Sequence, residues 1–300
     1  VYTPIKEPAT RVAALISGQV DFVLDAPLQD IARIRQTPGL KTEEAAQVRS
    51  IFLGLDMGSA ELKYSDVKGK NPFADKRVRQ AMYQAIDMDA IKAKVMRNFS
   101  APAGIVTAPG VHGYTKELDK RLKYDVAAAK KLMAEAGYPN GFSVTLDCSN
   151  DRYNNDEQIC QAVTGMLAQI GIKVSINKIP GSNWRAALLK KDMPLIFNRF
   201  GGWLNYPEYF FFWCYHSQDA VFNTMSYKNP TMDKFIDTAR FENDRKKYQD
   251  AVSGFVNIAF EEVPRIPLAQ PNFDVAMQKS IQGYKYWFHL QPDFRNLSKA

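Results

Sequence analysis

Apolar residues recur along this chain at two spacings, and the change from one spacing to the other lays out its secondary structure. Val78, Met82, Ala85 and Ile86 share one face at helical spacing. Pro72 blocks helix before them, and Asp75 is placed to accept from the first free amides of a helix starting at Lys76. Val126, Ala129, Met133 and Ala136 repeat the pattern behind Asp125 and stop at Gly137. Ile159, Val163, Met166, Leu167 and Ile170 do so from about Asp156 to Gln169, with Gly171 as the stop. Further helices are expected from Arg11 to Ser17 under a Thr10 cap, from Leu28 to Gln36 behind Pro27, from Asp87 or Asp89, from Asn183 to Lys190, and near 231–241 and 245–261. Strict alternation marks strands: Ile51, Leu53 and Leu55 within 48–57, and Ile172, Val174 and Ile176 against Lys173, Ser175 and Asn177. Val20 to Leu24, Phe142 to Leu146 and Leu195 to Phe200 read as additional strands. Strand, helix and strand in this order predict an α/β fold with a mostly parallel sheet.

Two stretches lack either period. Gly58 to Lys70 is polar, with two glycines, and is the best linker candidate. Ser100 to Tyr124, rich in Pro and Gly, reads as an irregular surface excursion. A length of 300 residues with 46% hydrophobic content can hold one large core or two medium ones. The net charge of +7 comes from 39 basic residues dispersed among 32 acidic ones, without a block of like charge. That spread argues for surface potential and against a nucleic-acid-binding stripe. No apolar run approaches the roughly 18 residues that would span a bilayer. The opening Val1 to Ile5 reads as a strand entered partway, with neither a starting Met nor a signal peptide. The expectation is therefore a mature protein or a fragment, and the N-terminus does not disclose the compartment. Three cysteines allow at most one bridge. Cys148 and Cys160 flank one loop and could pair in an oxidising compartment, whereas Cys214, among aromatics, reads as a small buried hydrophobe.

Enzyme signatures are missing: the chain has no G-x-S-x-G, no G-x-G-x-x-G and no G-x-x-x-x-G-K-[ST]. His112, His216 and His289 lie far apart, without a second ligand at metal spacing, so neither cofactor nor metal is expected. The unusual stretch runs from Arg199 to Tyr215, with the pair Gly201 and Gly202 and eight aromatics in the thirteen residues from Trp203. Its Phe210 to Trp213 run is expected to be mostly core. Its beginning, Arg199, Gly202, Trp203, Asn205 and Tyr206, is expected to line a cleft, since aromatic rings beside a charged group and an amide make a ligand surface. A strand-to-helix loop at 150–156 adds Arg152 and Tyr153 as candidates, with Asp156 as a local helix cap.

Four segments resemble the solute-binding proteins of bacterial peptide/nickel-type ABC transporters, extracellular solute-binding protein family 5. They are F-x-D-x-R-V-R-Q-A from Phe73 to Ala81, Y-D-x-x-x-A-K-K-L-M-A-E-A-G-Y-P-N-G-F from Tyr124 to Phe142, R-x-A-A-L-x-S-G-x-V-D-F from Arg11 to Phe22, and the run from Val263 to Ala269. The resemblance implies a two-lobed α/β binding protein of the class II, oligopeptide-binding-like type. Residues 1–62 would belong to a first lobe, 63–263 to a second, and 264–300 to a return segment. The first lobe would be incomplete, because the family part preceding Val1 is missing. It further implies a small-molecule ligand, a membrane permease as partner, hinge closure on binding, a monomer, and a periplasmic site (or lipid-anchored extracellular in a Gram-positive source). In peptide-binding members, a segment like that from Arg199 to Tyr206 carries an Arg for the ligand carboxylate and an Asp for its amino group. Arg199 keeps the first place. Asn205 takes the second and Trp203 falls one residue late, which argues for a ligand without a free α-amino group, such as an opine, a sugar conjugate or a small acid. A sensing module on the same fold and a hydrolytic enzyme are the competing classes.

Overall fold

The computed structural model describes residues 1–201, 204–218, 222–286 and 294–300. Helix α1 (Pro8–Ile16) starts ahead of the expected Thr10 cap, because Pro8 has a helix-ready φ and no amide to leave unpaired. β1 (Phe22–Val23) is shorter than its apolar run, and α2 (Ile31–Gln36) starts late because Pro27 closes a turn with the Asp30 amide before it. Next come β2 (Leu40–Ala46), which the sequence reading missed, and β3 (Arg49–Leu55). α3 (Lys76–Ala85) begins where expected, with the Asp75 carboxylate accepting from the Arg77 amide at 2.8 Å. Asp87 caps α4 (Met88–Ala90), which a π turn over Ile91–Val95 prolongs. After β4 (Ser100–Pro102) come α5 (Val126–Glu135), β5 (Ser143–Ser149), α6 (Asp156–Ala168), β6 (Lys173–Ile179), α7 (Gly181–Leu189) and β7 (Leu195–Gly201). α8 (Pro207–Tyr215) occupies the aromatic run, and α9 (Pro230–Phe241) and α10 (Arg245–Glu262) precede the long β8 (Arg265–Gln278). A small ribbon of β9 (Ile281–Gln282) and β10 (Ser298–Lys299) closes the chain.

The sheet corrects the expectation of mostly parallel strands. Its order is β1-β8-β3-β7-β5-β6, with β2 and β4 also paired to β8. β5 runs parallel to β6 and β7, as βαβ crossovers require. Every pairing of β8, and that of β3 with β7, is antiparallel. The first strand–helix–strand unit therefore does not pair with itself; each of its strands hydrogen-bonds to β8, from the far end of the chain. β2 and β3 follow one edge of β8, where Ala46 faces Asn272 and Ile51 faces Ala269. β1 and β4 take the other edge, with Val23 facing Ala276 and Pro102 facing Ala269.

Helices cover this sheet on two faces. Ile51, Leu53 and Leu55 of β3 join α3, α5 and α6 in one core, while Phe52 points the other way, into a core of α8, α9 and α10. Phe210 and Phe211 are buried there as expected, whereas Phe212 and Trp213 are half-buried. Arg79, part of the Phe73–Ala81 segment, is buried and donates to the carbonyls of Phe73 (2.7 Å), Ala74 (3.0 Å) and Glu262 (2.8 Å), tying α3 to the end of α10. A disulfide joins Cys148 on β5 to Cys160 on α6, and Cys214 is free and buried. The bridge spans a sequence separation of 12. Closing a loop of this size removes unfolded-state entropy worth about 3 kcal/mol. The Cys148→Ser/Cys160→Ser variant should lose about that much stability, read as a lowered denaturant midpoint with a slope equal to or steeper than that of the bridged protein.

Candidate ligand-binding site

The loop between β5 and α6 is held by side-chain hydrogen bonds at several points. The buried Asp156 carboxylate accepts from the Ser149 hydroxyl at 2.8 Å and from the amides of Arg152 (3.1 Å) and Glu157 (2.9 Å). Burial pushes the pKa of Asp156 up, and these hydrogen bonds pull it back toward the ionised form. Asn155 takes a left-handed φ of 59° and donates to the Val95 carbonyl, while Asn154 donates to Ala26 on the turn after β1. The loop is thus tied to two other parts of the chain.

Those ties aim Arg152 and Tyr153. The Arg152 guanidinium donates to Asn198 Oδ1 at 3.2 Å and lies 4.8 Å from the Trp184 ring centroid. Gly181 leaves it room, since a Cβ there would come within 2.9 Å of Arg152 Cγ. The Arg199 guanidinium sits 4.5 Å over the Tyr153 ring, which packs against Phe197. The two arginines named from sequence therefore meet around Tyr153 and Asn198. A pocket opens beside them, lined by Asp25, Gln47, Tyr153, Asn154, Arg199 and Asn272, among others. Gln47 donates to the Asn272 carbonyl at 2.7 Å, and its own side-chain oxygen is buried without a partner.

Other expected residues lie elsewhere. Asn205 and Tyr206 belong to a second patch: the Asn205 carbonyl accepts from the His112 amide, and the exposed Tyr206 ring stacks on the His112 ring at 4.9 Å. No hydrogen bond among the described residues joins that patch to Arg199. Gly202, Trp203 and His289 fall outside the described residues. Sequence reasoning passed over Asp25, Gln47 and Arg49. Arg49 had one visible signal, a charge at the mouth of an otherwise apolar strand. Among the described residues, no group of three or more His, Cys, Asp or Glu side chains could hold a metal ion. No helix among them is long and apolar enough to cross a membrane.

Next to the pocket, Asp274 faces Glu44 across the β2–β8 pair. It is buried, with neither carboxylate oxygen hydrogen-bonded. Burial first, then Glu44 and Asp25, push its pKa up from 3.8 to about 7, against a smaller pull from Arg35. The folded chain keeps this proton to higher pH than the unfolded one, so Asp274 lowers stability as pH rises between those two values, and the loss is complete above about 7. Asp274→Asn should flatten this part of the pH profile and raise stability at pH 8 by on the order of 2–4 kcal/mol. Urea unfolding at pH 5 and pH 8 measures it.

Residues 1–222 match the family model described as bacterial extracellular solute-binding proteins, family 5 middle. The glutathione-binding protein GsiB of Shigella dysenteriae serotype 1 is 25% identical over 300 residues, covering 97% of this chain and 55% of the relative. The chain thus spans about half the length of the curated relatives it matches. Among solved structures, the periplasmic binding protein DppA of Helicobacter pylori, in complex with the peptide STSA, superposes with a TM-score of 0.85 at 23% identity, covering 98% of this chain and 56% of that one. AgaA from A.tumefacien R10, in complex with agropinic acid, gives 0.82 at 25% identity, covering 94% and 55%. The fold is that of periplasmic binding proteins of the oligopeptide-binding type.

Proposed function

This chain belongs to the bacterial extracellular solute-binding proteins of family 5, and from that premise we propose that it binds a small acidic solute and delivers it to the permease of an ABC transporter. The observation that carries the choice of an acid is the meeting of Arg152 and Arg199 around Tyr153, neither of them ion-paired with a carboxylate among the described residues. Half-buried guanidinium groups without counter-ions attract a carboxylate through charge-assisted hydrogen bonds. Relatives named for glutathione, a peptide and agropinic acid fit a pocket for small acids.

Asn205 narrows the ligand further. Its neutral amide stands where the peptide-binding pattern has an Asp, and a charged α-ammonium gains less from an amide than from a carboxylate. An opine, a sugar conjugate or a small organic acid suits it better than a plain peptide. Arg199, Arg152 and Tyr153 beside the pocket, and Gly202, Trp203, Asn205 and Tyr206 from the segment that leads to the second patch, are the residues assigned to the ligand. Residues 63–263 form one lobe, and 1–62 with 264–300 contribute to the other. A ligand touching both lobes only in the closed form shifts the population toward closure, with no bond made or broken. The protein acts as a monomer, without nucleic acid, on the outer side of the cytoplasmic membrane, where the Cys148–Cys160 bridge is chemically at home.

Mass spectrometry of small molecules released by denaturing the purified protein tests this reading. An acid lacking a primary α-amine is the expected find. A peptide with a free N-terminus would show that Asn205 does not exclude amines.

A further inference from the structure

We propose that Arg49 is a third anion-binding residue of this pocket and that the pocket selects solutes carrying two negative charges. The inference rests on the reading that Arg152 and Arg199 receive an acidic solute, and it adds a residue and a charge requirement to that reading.

The strand register places Arg49. It opens β3 opposite Gly201 of β7, while Ile51 stands opposite Arg199. Alternate residues of a strand share a face, so Arg49 and Arg199 are diagonal neighbours on the face that also carries Ile51 and Phe197. Diagonal partners lie about 7–8 Å apart, within reach of long side chains converging on one guest. Gly201 permits this approach. A Cβ at that position would lie 2.5 Å from Arg49 Cα and 2.7 Å from Arg49 Cγ, too close for any side chain without displacing Arg49.

Charge points the same way. The Arg49 guanidinium makes no hydrogen bond or ion pair with any described residue. Burial and then the Arg199 charge lower its pKa to about 10, with Arg152 adding to the effect and Asp25 opposing it. Asp156 and Asp151 act on Arg152 through space, but their oxygens accept from other groups, Asp156 from Ser149 and backbone amides and Asp151 from the Gly181 amide at 2.6 Å. Asp25 is the carboxylate that acts on Arg49 and also lines the pocket. None of the three guanidinium groups is ion-paired with a described carboxylate, so more than one of them keeps donors open to a guest. A solute with a single carboxylate would engage part of this donor set, and a dianion more of it.

Isothermal titration with glutarate, adipate and the monomethyl ester of each separates the cases, since each ester keeps the skeleton and removes one charge. At least one diacid should bind about tenfold more tightly than its ester, a difference of ~1.4 kcal/mol. Arg49→Gln, checked for native fold by circular dichroism, should reduce that preference to about twofold or less by weakening the diacid more than the ester. Equal affinity for diacid and ester, a preference that survives Arg49→Gln, or no binding of either diacid would overturn the proposal. Arg199→Gln tells its failure from that of the underlying reading. Ester binding that requires Arg199 but ignores Arg49 leaves a single-anion pocket standing. Binding indifferent to both substitutions removes the acidic-solute reading as well.

Discussion

A guanidinium group holds its charge throughout the neutral range, so each arginine taken out of water obliges its surroundings to supply partners. Much of this structure is arranged around that obligation. Arg79 is wrapped by three carbonyls and thereby fastens α3 to α10. Arg265, at the start of β8, donates to the carbonyls of Cys214 and Phe222 and lies between the rings of Phe52 and Tyr215. Provision thins toward the pocket: Arg152 has one amide oxygen and an indole face, Arg199 a phenol face, and the Arg49 side chain no hydrogen bond or ion pair among the described residues. Arginines that hold elements together donate to backbone carbonyls, although Arg265 Nε is buried without a partner, whereas those at the mouth of β3 and β7 have fewer hydrogen bonds among the described residues.

Local chemistry was legible in the sequence wherever a single turn of backbone decides the outcome. The Asp75, Asp87 and Asp125 caps sit where their spacing puts them, each carboxylate on an amide two or three residues ahead. Partnership between distant segments was not. Helical period and strand alternation cannot say that β1 and β3 pair with β8 rather than with each other. β2 was hidden because Lys41, Glu43 and Glu44 break its apolar run, and α8 because a nearly continuous aromatic run has no period to read.

The pocket divides in the same way. Arg152, Tyr153 and Arg199 could be singled out by type and loop position, and the structure does bring them together. Arg49 becomes intelligible only through the β3–β7 register, and Gln47 only through its bond to Asn272, 225 residues away. Asn205 and Tyr206, close to Arg199 in sequence, diverge from it because the chain turns into α8 and settles them against His112.

The dependence of the sheet on β8 has a kinetic side. β8 is made last among the strands of the large sheet, yet β1, β2, β3 and β4 all hydrogen-bond to it across more than half the chain. Contacts of such long sequence separation demand loop closure before they return any stabilisation, which slows folding. During synthesis, β5, α6 and β6 can assemble among themselves while the earlier strands wait with bare edges.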